Sequence, residues 1–265
     1  MSIARSTIAT ATLAVAGLLI GALAADAQPT SSGTVAGAAG VTVCDGTLAS
    51  GTYRGLLVQG SCAVPESATI TVLGDLVVSP GSNFDAENYA TVMITGNVRV
   101  GPGANFGLGQ DEQGPSADVV HGSIVADHPL ALQILGSTVT GSISVTGGQE
   151  VTCGPQPVRG GAPSNFPIKD NNIHGSVTIS GWTGCWFGFI RNQVHGRVLI
   201  TGVQADGYQE FLGFNDSTEV VTNEIWGSLA CQDNTPAAHV GDSEGQNNVV
   251  HGSASGECAA LSTDG

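Results

Sequence analysis

Eight times along the chain a glycine is flanked by aliphatic residues two positions before and two positions after. The glycines are Gly74, Gly96, Gly122, Gly141, Gly175, Gly196, Gly227 and Gly252. Val72, Ile94, Val120, Val139, Ile173, Val194, Ile225 and Val250 precede them, and Leu76, Val98, Ile124, Ile143, Val177, Val198, Leu229 and Ala254 follow. Alternation at period two is the signature of a β-strand with one face buried, and a glycine at a fixed place in each unit marks a bend. The pattern therefore predicts stacked β-coils. The clearest copies, residues 69–84 and 91–106, are offset by 22 residues, and later glycine spacings are 26, 19, 34, 21, 31 and 25. These describe one coil with insertions at its corners. With strands about 4.8 Å apart, eight coils give a core roughly 35–40 Å tall.

Parity assigns the faces. Positions −4, −2, +2 and +4 around each glycine share the inward side, and the odd positions point out. The +4 column is mostly small or aliphatic. The −4 column reads Ile70, Val92, Asp118, Ser137, Asn171, Asn192, Asn223 and Asn248. An unpaired buried amide costs about 1–3 kcal/mol, so four successive inward asparagines require partners. A stacked ladder, each amide bonded to its neighbours and to corner backbone groups, supplies them.

The asparagine ladder, the glycine corners and the period near 22 resemble the right-handed parallel β-helix of pectate lyases and tailspikes. The run from Asn223 to Pro236, continued by Asn247 to Cys258, is similar to the ends of uncharacterised exported proteins of high-GC Gram-positive bacteria. The resemblance covers roughly residues 65–260 and implies an all-β fold, a single-domain right-handed parallel β-helix (solenoid) of about eight or more coils, and an extracellular address. It carries no activity. The pectic-enzyme precedent stops at the fold, because the Asp-Asp pair and Gly-His-Gly of the hydrolases are missing and Lys169 is the sole lysine. The Gly-x-Ser-x-Gly elbow of esterases is missing too.

Arg5, the apolar stretch Ile8 to Leu23 and the small-x-small site Ala25-Asp26-Ala27 read as a secretory signal over residues 1–27. Residues 28–64 are then a lead-in and cap, 65–260 the β-helix and 261–265 a tail. No other hydrophobic run approaches the ~20 residues of a membrane span. Six cysteines in an exported chain argue for oxidised pairs, and sequence order favours Cys44 with Cys62, Cys153 with Cys185, and Cys231 with Cys258. Net charge is −15 with seven basic residues, a balance that repels nucleic acid and anionic lipid.

Two groups of residues suggest chemistry. The outward −1 column contains His121, His174, His195 and His251, and of these His174 and His195 sit on neighbouring coils, a candidate pair of metal ligands. Thr140 and Trp226 interrupt the column and no third ligand is evident, so a solvated ladder is the simpler reading and no cofactor is expected. Aromatic residues cluster in the insertions of the late coils, with Trp182, Trp186, Tyr208 and Trp226 as a candidate binding face for neutral carbohydrate or a cell-surface protein. Asp206, Glu210, Asp216, Glu219 and Glu224 are interleaved with them. The leading expectation is an exported non-enzymatic scaffold or binding module, secreted or associated with the cell surface. The alternative is a carbohydrate-active enzyme, hydrolase or lyase, that uses Asp206, Glu210, Asp216 and Glu224 in a lateral groove. Against both stands the tendency of large aromatics to pack in cores.

Overall fold

The computed structural model describes residues 35–36, 40–110, 116–151, 153, 165–205, 217–241 and 245–265. The unit Ser31–Gly265 is a parallel β-helix whose coils each contribute three strands. In one complete coil these are Thr91–Ile94, Val98–Val100 and Asn105–Gly109. First strands stack only on first strands and form a ten-stranded sheet from Gly51–Tyr53 to Ser262–Asp264. Second and third strands build two further walls, joined through the long strand Leu56–Ala63, which spans both. All these pairings are parallel, and among the described residues the one antiparallel contact is Val35–Ala36 against Thr42 and Val43. The described residues contain no α-helix; a 3-10 turn, Glu257–Leu261, lies in the last coil.

The alternation read from the sequence coincides with burial. Val72, Ile94, Val120, Val139, Ile173, Val194 and Ile225 are fully enclosed, as are Leu76, Val98, Ile124 and Val177. Side chains of the same column sit in register one coil apart, for example Val98 against Ile124 and Val177 against Val198, so each buries its neighbour as well as itself. The third strands carry stacked rings: Phe84 on Phe106 and Phe166 on Phe187, each pair with centroids 5.6 Å apart.

Two boundaries differ from the sequence reading. Residues 42–63, expected as a lead-in, already form strands in register with the coils above. The corner there is one residue shorter: Tyr53 pairs with Val72 and Leu56 with Leu76, so two residues, Arg54 and Gly55, turn it where the next coil uses three, and an aromatic replaces the aliphatic residue before the bend. At the other end, Ser262–Asp264, expected as a tail, pairs with Asn248–Val250.

The inward asparagines form the expected ladder. Asn171 Nδ2 donates to Asn192 Oδ1 (3.0 Å), Asn192 Nδ2 to Asn223 Oδ1 (3.0 Å) and Asn223 Nδ2 to Asn248 Oδ1 (2.8 Å). Each amide also donates to a third-strand carbonyl one coil earlier: Ile134, Ile168, Phe189 and Val220 for Asn171, Asn192, Asn223 and Asn248. Each Oδ1 accepts the backbone N–H of the preceding rung. The residue before Ser137, Asn171, Asn192 and Asn223 turns the corner in the left-handed region, with φ of 59° at Gly136 and Asp170, 55° at Arg191 and 59° at Thr222. A left-handed non-glycine residue is unfavourable by roughly 1–2 kcal/mol, and the amide's bonds across the corner offset that.

A second ladder runs along the outside, immediately after the glycines. Asn97 N–H donates to Asp75 Oδ1, Ser123 to Asn97 Oδ1, Ser142 to Ser123 Oγ, Ser176 to Ser142 Oγ and Arg197 to Ser176 Oγ. The three expected disulfides are present, Cys44–Cys62, Cys153–Cys185 and Cys231–Cys258, with Cα–Cα distances of 5.5, 5.6 and 5.2 Å. Replacing Asn192 by Ala would leave several buried partners unpaired at roughly 1–3 kcal/mol each. Urea unfolding should therefore show a loss of at least ~3 kcal/mol for Asn192→Ala, whereas Gln193→Ala, next in sequence but outward, should stay within about 0.5 kcal/mol of the parent.

Candidate functional site

The aromatic residues that suggested a binding face lie in three different settings. Trp182 follows the left-handed Gly181 and turns into the core, where it is 0% exposed and packs on Phe166 (4.9 Å) and Phe187 (6.2 Å). It is a core residue and not part of a binding surface, which corrects the expectation. Its Nε1 is buried without a hydrogen-bond partner, an uncompensated polar group in exchange for a large apolar fill.

Trp186 begins the third strand Trp186–Ile190 and is half-buried on the outer side of that wall. Its benzo edge crosses the position a side chain on Gly188 would take, with ring atoms from 2.2 Å, so glycine is what lets the ring lie along its own strand. Lys169 Nζ sits 5.7 Å from the ring centroid, one coil earlier. Around it the wall is closed: Pro167, Ile190, Glu219 and Val221 all point outward by parity and are all buried. Glu219 is thus enclosed, with no exposure to a substrate.

Trp226 is on a different side, at the corner between first and second strands. His174, His195, Trp226 and His251 form one continuous ring column there. His174 meets His195 edge to face at 5.1 Å, His195 stacks on Trp226 at 4.6 Å and 10°, and Trp226 stacks on His251 at 5.5 Å and 13°. The indole that looked like an interruption of the histidine column is its centre. Both of its faces are covered by imidazoles, so its 40% exposure is mostly edge. A ring covered on both faces cannot also stack on a sugar, and the flat platform expected at Trp226 is therefore not available.

Glu224 lies beside this column. Its Oε1 is 3.4 Å from His251 Nε2, and both side chains are partly exposed. The other candidate carboxylates, Asp206, Glu210 and Asp216, and the candidate Tyr208 lie outside the described residues. Glu224, Trp182 and Trp186 are separated by the fold: one on the first-strand sheet, one in the core and one on the third-strand wall.

The structure brings His174 and His195 together as a pair. Among the described residues no group of three or more His, Cys, Asp or Glu is placed to hold a metal ion, and catalytic zinc sites use three protein ligands. Arg191 clasps Asp170 through both Nε and Nη2 at 2.7 Å, across the same corner one coil apart.

The sequence did signal the ring column, through identical −1 spacing of His174, His195, Trp226 and His251, but ring-on-ring contact needs the register that only paired coils provide. Comparison of the chain with family models, curated proteins and solved structures gives no match. Stacked ring pairs contribute about 0.5–1.5 kcal/mol each. Trp226→Ala removes two of them and should lower unfolding stability by about 1–3 kcal/mol, and His195→Ala should raise the accessibility of tryptophan fluorescence to acrylamide by uncovering one indole face.

Proposed function

We propose that the chain is an exported, non-enzymatic β-helical module that serves as an extracellular scaffold or binding module. One observation carries the reading: the side chains that offered chemistry, where described, are engaged in cohesion. Trp182 fills the core, Trp226 is sandwiched between imidazoles, Glu224 faces His251 and the asparagines bond one another. On the outward side of the three second strands Ile143–Thr146, Val177–Ser180 and Val198–Thr201, five of the six residues are short hydroxyl residues, Ser144, Thr146, Thr178, Ser180 and Thr201, in register on adjacent strands, and the sixth is Leu199. Such a surface is uncharged, offers donors and acceptors together, and suits a neutral polysaccharide or a polar patch of a cell-surface protein.

Three disulfides fit an oxidising environment. That supports an address outside the cytosol, as do the signal-like start and the resemblance of the C-terminal run to exported proteins. A net charge of −15 disfavours nucleic acid as partner. None of the described helices is long and apolar enough to cross a membrane.

The test pairs binding with turnover. The full chain is applied to a glycan array and to insoluble cell-wall polysaccharide, and reducing ends are assayed in parallel. Retention without release of reducing sugar is the expected result. Release that disappears in Glu224→Gln would overturn the non-enzymatic reading in favour of a glycoside-cleaving one.

A further inference from the structure

The inward polar column does not begin with an asparagine. Its first polar rung is Asp118, buried to 1% exposure directly after the corner that precedes Val119–Val120. Half of its carboxyl behaves as the asparagines do. Asp118 Oδ1 accepts the backbone N–H of Val92, one coil earlier in the same column, at 2.6 Å. Asn192 Oδ1 accepts Asn171 N–H, and Asn223 Oδ1 accepts Asn192 N–H, in the same way.

The other half lacks a partner: Oδ2 is buried and receives no hydrogen bond. In the asparagine rungs the matching atom is Nδ2, which donates to a third-strand carbonyl one coil earlier. Register identifies the equivalent carbonyl for Asp118. Those of Ile134 and Ile168 align with Leu108, and Leu108 aligns with Ala86 in the preceding coil. Oδ2 therefore occupies a donor's place in the ladder, opposite a carbonyl oxygen. An ionised carboxylate there would set two acceptors against each other in the core; a protonated one would complete the rung.

We propose that Asp118 is a neutral-acid rung, its Oδ2–H donated to the Ala86 carbonyl, and that it makes the first polar step of the ladder sensitive to pH. The surroundings agree. The strands packed on it, Asn83–Ala86, Thr91–Ile94, Asn105–Gly109, Ala131–Leu135 and Thr138–Val139, carry one titratable residue, Asp85, which is exposed on the outer face; Glu87, just beyond, is exposed too. No cation among the described residues of these strands compensates a buried charge. Desolvation pushes the Asp118 carboxyl above its ordinary range, against the smaller opposing pull of the Val92 N–H and the Ser116 hydroxyl. The folded chain thus holds this proton more tightly than the unfolded chain. Its stabilising effect is complete below the ordinary aspartate range, about pH 4, and is lost as pH rises through the raised folded-state value.

Asp118→Asn tests the assignment, because it puts a permanent donor at the same place without changing shape. Thermal melts of the full chain and of this variant should agree within about 1 °C at pH 4 and diverge at pH 8, with the variant about 2–4 °C higher. A variant that melts lower than the parent at pH 8, or by a constant offset at both pH values, would overturn the proposal. Infrared spectra of the parent in D2O at pH 6, where exposed carboxyls are ionised, give a readout independent of how the variant folds. A residual carboxylic-acid carbonyl band that Asp118→Asn removes is expected; its absence from the parent, or its persistence at full intensity in the variant, would equally overturn the proposal.

Discussion

The close stacking of one glycine upon another sets the geometry for everything else in this protein. Gly96, Gly122, Gly141, Gly175, Gly196 and Gly252 each donate their N–H to the carbonyl of the corner glycine one coil earlier, at 3.0–3.2 Å, and Gly227 stacks on Gly196 as closely. A Cβ at any of these positions would stand 2.3–2.6 Å from that carbonyl oxygen, well inside contact distance. No other residue lets the corner backbones approach so closely. Because every coil is pinned at the same point, strands on both sides start in register, and register decides which side chains face the core.

Once pinned, the coils differ in how they are held. The early ones rely on aliphatic columns, such as Ile70 and Val92 at the position that later bears asparagine. The late ones replace part of that apolar fill with hydrogen-bonded amides and tolerate left-handed corners at Asp170, Arg191 and Thr222. Apolar packing is indifferent to small rotations of a coil, whereas an amide that must meet a neighbour at 2.8–3.0 Å is not. The late half is therefore the more sharply specified part of the molecule. It also holds the ring column and two of the three disulfides.

The coils, their facing and the asparagine ladder were legible because each rests on a fixed spacing from a glycine. The cysteine pairs were legible because coils return a short stretch of chain onto itself. The first coils were missed, since an aromatic, Tyr53, stands before their corner and the corner is one residue shorter, so that Leu56 and not Leu57 is the inward residue after it. The outer ladder of Asp75, Asn97, Ser123, Ser142 and Ser176 left a plain signal, a short polar residue directly after seven of the eight glycines, that was open to reading. Trp182 and Trp186 were not legible in the same way. They follow corners of irregular length, where period two no longer tells inside from outside, so one indole enters the core and the other lies on a wall. Trp226 sits at a regular position, but its stacking on His195 and His251 depends on neighbours 31 and 25 residues away in sequence.

The connection between second and third strands takes very different lengths in successive coils: 4 residues after Val78, 4 after Val100, 3 after Asp127, 18 after Thr146, 5 after Ser180 and 16 after Thr201. Across the 18-residue case the strands on either side keep their pairing unbroken, Ile143 to Val177 before it and Phe166 to Phe187 after it. Length at this corner is decoupled from the framework, because the glycine column and not the connection sets where the next strand begins. The molecule thus separates an invariant spine from a slot that accepts new sequence, as an antibody domain separates its framework from its loops, and new surface can be acquired there coil by coil without refolding the rest.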